Sequence, residues 1–186
     1  MTSLPPTHGF EFTHRTDAWG THQPVLCEAV LRTNGPILEL GSGYNSTRLI
    51  HHFTKGSGRQ ILTVDHDATW LSKFLDLESP THQFKILSSW DEITEFKGPY
   101  SVVFVDEGLW ESRVTSLKHF ADKAMYVVLH DSDYIQNQLQ FNFADHYKYF
   151  KTFIPIEPHP YVTGPPTTIL SNVIDVGEWE IDYAEY

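Results

Sequence analysis

The stretch PILELGSGYNST, residues 36–47, decides the fold of this chain. An apolar run, interrupted only by Glu39, leads directly into a turn that contains Gly41 and Gly43. The polar residues 45–47 that follow are of the kind that begins helices. Glycines let a backbone turn sharply and approach a ligand closely, and a helix N-terminus offers free N–H groups. The stretch therefore predicts a strand, a ligand-binding turn and a helix, in that order.

Glu39 restricts the kind of ligand that this turn can bind. A carboxylate beside the turn repels a pyrophosphate but attracts a ligand that carries an ammonium group. The position that corresponds to the third glycine of a Gly-x-Gly-x-x-Gly dinucleotide motif is Ser46. The turn therefore favours a cationic ligand over a dinucleotide.

Size and composition indicate one globular domain that spans residues 1–186. The 186 residues are 40% hydrophobic and 14% aromatic, which is typical of a folded chain. The formal net charge is −11, and the lysines and arginines are scattered rather than clustered. Sites for nucleic acids are built on basic patches, so the sequence predicts no nucleic-acid partner.

The chain has the features expected of a cytoplasmic protein without membrane contact. Cys27 is the only cysteine, which rules out an intrachain disulfide, and its apolar surroundings predict a packed thiol. The first residues contain neither a basic start nor an apolar run, and no stretch approaches the roughly 20 apolar residues that span a bilayer.

Strands and helices are predicted to alternate along most of the chain. Strands are expected at residues 37–40, 61–65, 83–87, 101–106, 126–130, 153–156 and 168–176. Helices are expected at residues 22–33, 46–54, 70–77, 111–123 and 134–149, with an irregular or short helical stretch around Trp90. Short apolar strands that alternate with helices imply a doubly wound α/β sheet, mostly parallel, with helices on both faces.

The glycine turn and this element order together resemble the class I S-adenosylmethionine-dependent methyltransferases. Glu-x-Gly-x-Gly after a first strand is similar to motif I of that family, and the resemblance covers roughly residues 21–176. It implies a seven-stranded sheet whose last strand enters antiparallel as part of a hairpin. It also implies a methyltransferase activity with S-adenosylmethionine as the cofactor.

Four of the first five predicted strands, the first of them through Glu39, carry an acidic residue at their end, in a pattern that points to a binding site. In open α/β sheets, ligands bind beyond the carboxyl ends of the strands. The residues at these ends are Asp65 and His66 after the second strand, Ser89 and Trp90 after the third, Asp106 after the fourth, and His130 and Asp131 after the fifth. Capping or turn formation explains any one of these acids, but less readily all of them together.

The resemblance assigns roles to these positions. It places Glu39 and Asp106 near the methionine ammonium of the cofactor, and Gly41 and Gly43 where the backbone approaches it. Ser46 or its neighbour would meet the cofactor carboxylate. Asp65 would hold the ribose and His66 would flank the adenine. The family's usual acid after the third strand is replaced by Ser89 and Trp90, of which Trp90 either stacks on the adenine or packs in the core.

Two mechanisms are open for proton removal from the methyl acceptor. His130, oriented by Asp131, can act as a general base near neutral pH. Alternatively, Asp106 and Asp131 can bind a divalent cation that acidifies a bound hydroxyl. His130 occupies a position where a second oxygen ligand would be expected, so the sequence favours the metal-free mechanism.

The acceptor site is expected to involve two irregular segments. The N-terminal lead, residues 1–21, and the helix start beyond it are rich in aromatic and histidine residues and can fold over the cofactor through His14, Trp19, His22 or Gln23. A proline-rich loop at residues 157–166 is the second segment. Aromatic side chains interleaved with polar groups suit sugars, so the predicted acceptor is a hydroxyl of a sugar or another small molecule.

The remaining features are given structural interpretations. His51 and His52, within the second helix, are interpreted as surface or capping residues. The acidic C-terminal stretch, residues 177–186, is interpreted as a solvated tail that follows the last strand.

Two alternative functions stay open at this stage. One is an adenosine- or nucleotide-binding module without transferase activity. The other is an NAD-dependent oxidoreductase, for which Asp65 would also suit the ribose, and Tyr147 and Lys151 have the spacing of a short-chain dehydrogenase pair. Tyrosines and lysines are crowded in that part of the chain, so chance readily produces this spacing.

Overall fold

Short strands with buried side chains form the centre of the molecule, which is described here by a computed structural model of residues 9–155 and 164–186. The strands are β1 (Ile37–Leu40), β2 (Ile61–Asp65), β3 (His82–Ile86), β4 (Tyr100–Val105), β5 (Ala124–Leu129), β6 (Tyr149–Phe153) and β7 (Thr167–Ser171). The α-helices are α1 (Gln23–Leu31), α2 (Thr47–Thr54), α3 (Ala68–Leu71), α4 (Trp110–Phe120) and α5 (Ser132–Asn137). Short 3₁₀ helices are Ala18–Gly20, Ser72–Leu77, Trp90–Glu95 and Phe143–Asp145.

The seven strands form one sheet in the order β3-β2-β1-β4-β5-β7-β6. The first five pair in parallel, whereas β7 runs antiparallel to both β5 and β6. The sequence prediction of a mostly parallel sheet with an antiparallel last strand is therefore confirmed. The order reverses between β1 and β4, so the loops after these two strands diverge and leave a crevice at the carboxyl edge.

Helices cover both faces of the sheet, each over its own apolar core. On one face, α1 and α2 pack on β1, β4 and β5, and Cys27 lies in this core as a buried thiol, as predicted. On the other face, α4 and α5 pack together with the Trp90–Glu95 helix. Within the described ranges, no helix combines the length and the apolar character that crossing a bilayer requires.

The predicted helix over residues 134–149 is wrong, because α5 ends at Asn137. Gln140 has a positive φ angle, which is incompatible with a continuing α-helix. Phe141 and Phe143 are both buried although they are two positions apart, and a helix cannot point such a pair to one face. The chain therefore reaches β6 early, at Tyr149 rather than at residue 153, and residue 156 lies outside the described ranges.

Smaller corrections concern the ends of other elements. The predicted helix over residues 70–77 is α3 followed by a 3₁₀ turn, and β7 ends at Ser171 rather than at residue 176. The Asp67 carboxylate accepts a hydrogen bond from the Trp70 amide, which caps α3 two residues earlier than predicted. These differences leave the sheet unchanged.

The C-terminal stretch is packed against the sheet, so its interpretation as a solvated tail is wrong. Trp179 is buried in the same core as α1, as is Val176, which directly precedes the stretch. Lys151 of β6 donates hydrogen bonds to the carbonyls of Gly177 and Trp179. The Tyr186 hydroxyl donates to Glu28 at 2.7 Å, which fixes the chain end on α1. The apolar residues of the stretch, rather than its acids, determine where it lies.

We expect Trp179→Ala to lower the free energy of unfolding by about 3 kcal/mol, because it removes a large buried ring. This ring lies 5.0 Å from that of Tyr126, and the Arg32 guanidinium lies 4.5 Å above it. The neighbour Glu178, which is exposed, provides the control. Glu178→Ala should change stability by no more than about 0.5 kcal/mol. Urea denaturation measures both, and equal small effects would show that the stretch does not pack.

Candidate active site

A cleft of about 270 Å³ lies at the carboxyl ends of β1 and β4, where the strand order reverses. One wall is the glycine turn, residues 42–46. Another part of the lining comes from Asp17 and Trp19 of the N-terminal lead and from His22, which directly precedes α1. Trp70 and Asp106 complete the lining. This is the position at which open α/β sheets bind ligands, so the cleft is the candidate active site.

Gly41 allows the glycine turn to pass directly over the end of β4. Its φ angle is +89°, and a Cβ atom at this position would lie 2.5 Å from the carbonyl oxygen of Asp106. Only glycine satisfies both conditions. Gly43 lines the cleft, where a Cβ would meet only the Ser46 hydroxyl, at 3.2 Å. The first glycine therefore shapes the turn, and the second leaves room beside it.

Glu39 lies fully buried beneath the turn instead of in the cleft. Its carboxylate accepts hydrogen bonds from the Thr47 hydroxyl at 3.0 Å and from the Thr63 hydroxyl at 2.6 Å. Burial raises the pKa of Glu39 to about 7, although hydrogen bonds from Ser46, Thr63 and Thr47 oppose this shift. The cleft therefore has a carboxyl group below its floor whose charge changes near neutral pH.

Asp65 ties the end of β2 to the glycine turn. One carboxylate oxygen accepts bonds from the backbone N–H of Ser42 at 2.9 Å and from its hydroxyl at 2.7 Å. The other accepts from the backbone N–H groups of His66 and Asp67. Asp65, the residue predicted to hold the ribose, thus uses both carboxylate oxygens to hold the turn and the following backbone in place.

The residues predicted to surround the adenine occupy different environments. His66 is about half exposed, and its ring centre lies 5.4 Å from that of Trp90. Trp90 itself is 4% exposed and packs in the core. The Ser89 hydroxyl caps the following 3₁₀ helix by accepting from the Asp91 amide. Of this group, His66 and Ser89 are exposed, whereas Trp90 is not available to a ligand.

His130 lies at the end of β5 and is buried, with hydrogen-bond partners at both ring nitrogens. Nδ1 lies 3.3 Å from the Asp106 carboxylate and 3.7 Å from that of Asp131, and Nε2 lies 3.3 Å from the Thr21 hydroxyl. The carboxylate that orients His130 is therefore chiefly Asp106, whereas the sequence pointed to Asp131. Burial lowers the pKa of His130, but the charge of Asp106, its hydrogen bond to the ring and the charge of Asp131 together outweigh this effect, and the net shift is upward.

Arg113 was missed by the sequence analysis, and it links all of these groups. Its guanidinium bonds Asp106 at 2.9 Å and Asp131 at 3.0 Å, and it donates to the backbone carbonyls of Glu107 and His130. Burial raises the pKa of Asp106, but His130 and Arg113 together hold it below its usual value. The sequence did contain one indication of its role, because Arg113 lies one turn into the helix that follows β4.

The lead packs onto the glycine turn through a polar network. The Gln23 side chain accepts from the backbone N–H of Thr13 and His14 and donates to the carbonyl of Asn45. Asn45 in turn donates to the Asp17 carboxylate at 2.8 Å. The predicted covering of the cleft by the lead is seen at Asp17, Trp19 and His22, whereas His14 faces the C-terminal stretch.

His22 is the buried polar group that lacks partners at this site. It is 2% exposed and lines the cleft, and neither of its ring nitrogens has a hydrogen-bond partner among the described residues. Burial and the charge of His130 lower its pKa to about 3, so its imidazole is neutral at physiological pH. A buried polar group of this kind needs a partner, which a water molecule or a ligand in the cleft can supply.

Three polar atoms, one each from His22, Asp106 and His130, lie within 4.8 Å of one another. At this spacing, an atom at the centre of the group is within hydrogen-bonding distance of all three. The arrangement can therefore hold one hydroxyl oxygen. It can also serve as a set of metal ligands, although Arg113 already pairs with Asp106.

Other predicted features lie away from the cleft or outside the described residues. Tyr147 is buried and donates to the Leu117 carbonyl, while Lys151 bonds the C-terminal stretch, so the two do not form a dehydrogenase pair. Of the predicted loop, residues 157–163 are outside the described ranges. Pro165, at the end of the loop, accepts a hydrogen bond from Thr21 and so contacts the lead.

Comparison with solved structures shows the class I methyltransferase fold. The O-methyltransferase TomG of Streptomyces achromogenes, solved with SAM, superposes with a TM-score of 0.64 at 13% identity over 83% of this chain and 80% of that one. A SAH-bound methyltransferase of Podospora anserina gives 0.59 at 10% identity over 88% and 82%. An rRNA methylase of Streptococcus thermophilus gives 0.53 at 10% identity over 83% and 95%. No family model and no curated protein matches the chain.

We expect Arg113→Met to lower the free energy of unfolding by about 3–5 kcal/mol, because it leaves two largely buried carboxylates without their partner. Arg113→Lys keeps the charge but loses the forked geometry, so its effect should be smaller.

The exposed pair formed by Arg48 and Asp76 serves as the matched control for this measurement. Arg48→Met should cost less than about 1 kcal/mol. A loss of less than about 1 kcal/mol for Arg113→Met in urea denaturation would contradict the role given to Arg113.

Proposed function

We propose that the protein is an S-adenosylmethionine-dependent O-methyltransferase that acts on a hydroxyl group of a small molecule. The observation that carries this proposal is the group formed by His22, Asp106 and His130. His22 and Asp106 line the same cleft as the glycine turn, and His130 is buried directly behind Asp106. A methyl donor on the turn and a hydroxyl held by this group would meet at the switch point of a methyltransferase fold. The methyltransferase fold supports S-adenosylmethionine as the proposed methyl donor, and the group of three polar side chains supports a hydroxyl as the proposed acceptor.

The residues at the turn suit the proposed cofactor. S-adenosylmethionine, when bound, supplies an activated methyl group on a positively charged sulfur. Gly43 leaves open space on the cleft side of the turn, and Asp106 provides a negative charge at the cleft wall for an ammonium group. Asp65 and His66 lie at the end of the neighbouring strand β2, and they are the residues proposed to contact the ribose and the adenine. This chemistry agrees with a cationic ligand and disfavours a pyrophosphate.

His130 is the proposed general base. In its neutral form, Nδ1 donates to Asp106, and Nε2 is the proposed proton acceptor. The acceptor hydroxyl would take the place at Nε2 that the Thr21 hydroxyl holds at 3.3 Å. Bound S-adenosylmethionine would supply the methyl group to the deprotonated oxygen and leave as S-adenosylhomocysteine, and His130 would carry the proton. Arg113 and Asp131 hold Asp106 and His130 in place throughout. Neutral His22 accepts a hydrogen bond from, or donates one to, the same oxygen.

The charges around the site favour a mechanism without a metal ion. Arg113 already forms ion pairs with Asp106 and Asp131, the two acids that a divalent cation would use. A cation between them would lie close to a guanidinium group, and like charges at that distance repel. The residues present therefore fit proton transfer to His130 better than coordination of Mg²⁺.

The charge of the protein favours a small acceptor over a nucleic acid. The chain has 24 acidic residues against 13 lysines and arginines, which gives no general attraction for a phosphate backbone. Trp19 and Tyr44, both more than half exposed, line the cleft together with Trp70. Aromatic faces of this kind suit a sugar or an aromatic ring, so glycosides and catechols are the proposed acceptor classes.

An acceptor screen tests the activity directly. We expect S-adenosylhomocysteine to form from S-adenosylmethionine in the presence of a simple glycoside or catechol and not in its absence. A ribosomal RNA transcript is included as a competing acceptor. Methylation of the transcript alone would overturn the acceptor class, and the absence of turnover together with the absence of S-adenosylmethionine binding would overturn the enzyme assignment.

We expect turnover to rise with pH through a midpoint above pH 6.5, because the base must be neutral and Asp106 raises the pKa of His130. Asp106→Asn should move the midpoint to lower pH, and His130→Gln should reduce kcat by about 10²–10⁴-fold. Cofactor affinity, measured by calorimetry, should change little in His130→Gln. Activity that EDTA abolishes and Mg²⁺ restores would contradict this mechanism.

The two sides of the cofactor site can be tested separately. Asp65→Ala should weaken S-adenosylhomocysteine binding by about 1–3 kcal/mol through loss of ribose bonds and of the Ser42 anchor. Gly43→Val should weaken it by placing a side chain in the cleft.

A glycine outside the cleft provides the control for the second variant. Gly177 is exposed and has no left-handed φ angle, and a Cβ there would meet only the side chain of Asp175, so Gly177→Ala should leave binding unchanged. Unchanged affinity in a folded Asp65→Ala or Gly43→Val variant would show that the cofactor binds elsewhere.

A further inference from the structure

Four side chains form a continuous hydrogen-bonded chain from the buried Glu39 towards the surface. The Glu39 carboxylate lies 2.6 Å from the Thr63 hydroxyl, which lies 2.9 Å from Nε2 of His82. Nδ1 of His82 lies 3.1 Å from Nδ1 of His51, a partly exposed residue of α2. This series of hydrogen bonds runs from β1 through β2 and β3 to α2. His51 was interpreted from the sequence as a surface or capping residue, and its partner His82 was not considered.

At its inner end, the chain reaches the glycine turn. The Glu39 carboxylate also accepts a bond from the Thr47 hydroxyl at 3.0 Å. The Thr47 oxygen accepts a bond from the backbone N–H of Gly43 at 2.9 Å. A turn residue that lines the cleft is therefore connected, bond by bond, to an imidazole at the protein surface.

The hydrogen bonds between these four side chains can be assigned donors and acceptors without conflict in both charge states of Glu39. When Glu39 is ionised, Thr63 donates to it, His82 donates to Thr63 from Nε2, and His51 donates to His82 from Nδ1. When Glu39 is protonated, each of these three bonds reverses, and His82 donates to His51 from Nδ1. The two states differ by one proton, which enters or leaves at Nε2 of His51, and none of the other three groups is charged in either state.

The pKa shifts of Glu39, His82 and His51 allow both charge states of Glu39 near neutral pH. Burial raises the pKa of Glu39 to about 7, and the charge of Asp106 adds to this shift. Burial and the nearby His51 lower the pKa of His82 to about 4, so its imidazole stays neutral. Burial also lowers the pKa of His51, with Lys55, His52 and Arg48 acting in the same direction and Asp76 in the opposite one.

We propose that Thr63, His82 and His51 are positioning residues for the cofactor site, because they form the path through which Glu39 gains and loses its proton. Solvent pH thereby sets the charge beneath the glycine turn. A cationic group in the cleft favours the ionised form, so ligand binding expels a proton along the same path. Only this last step rests on the proposed function; the path itself does not.

The two states place the proton of His82 on different ring nitrogens, which NMR of ¹⁵N-labelled histidine distinguishes. We expect His82 to carry its proton on Nδ1 at low pH and on Nε2 at high pH, with a midpoint near pH 7. The Glu39 carboxyl ¹³C shift should titrate with the same midpoint. One unchanged tautomer of His82 on both sides of this midpoint, or a Glu39 carboxyl that does not titrate around it, would overturn the proposal.

Variants separate the path from general effects on folding. Thr63→Val removes the hydroxyl that joins Glu39 to His82, so the tautomer of His82 should become independent of pH. Thr63→Ser should retain the switch, and His52→Gln, which changes the neighbour of His51 outside the chain of bonds, should also retain it. A switch that persists in a folded Thr63→Val variant would refute the path.

Addition of S-adenosylhomocysteine tests the coupling to the ligand. Its ammonium group should lower the midpoint by about 1 pH unit, a roughly tenfold change in proton affinity. If the pH switch occurs but the ligand does not bind, the path stands and the proposed function fails. If the ligand binds and the midpoint does not move, the coupling of Glu39 to the cleft is refuted.

Discussion

The ion pairs of Arg113 hold the functional edge of this protein together. Its guanidinium joins the ends of β4 and β5 by bonding two acids and two backbone carbonyls from a buried position. Asp106 and Asp131 would otherwise repel each other across a poorly solvated site. Once both acids are fixed, His130 is oriented by Asp106, and the cleft acquires a polar wall. Asp131 adopts a left-handed backbone conformation, a strained geometry of the kind that clusters at functional sites.

The glycine turn is built on a second set of buried polar contacts. Gly41 brings the turn over the end of β4, Asp65 ties it to β2 through Ser42, and Glu39 supports it from below through Thr47. The turn is therefore held from three strands while its cleft face stays open. A site that must distinguish a charged cofactor gains from such rigidity, because the backbone groups need no reordering when the ligand binds.

Most of the fold could be predicted from the sequence because short apolar strands alternate with helices, and this local pattern determines a parallel sheet. The glycine turn and the strand-end acids were found for the same reason. Arg113, the unpartnered state of His22 and the bond from His82 to His51 were missed, since each depends on contacts between distant parts of the chain. The packing of the C-terminal stretch was not predicted because its acids dominate the composition, whereas Trp179 and Tyr186 determine where it lies.

The central claim is that the cleft beside the glycine turn binds S-adenosylmethionine. Isothermal titration calorimetry of the wild-type protein with S-adenosylmethionine, S-adenosylhomocysteine and NAD tests it most directly. We predict saturable binding with one site for both sulfur compounds and none for NAD. Binding of NAD in place of the sulfur compounds, or binding of neither, would contradict the claim.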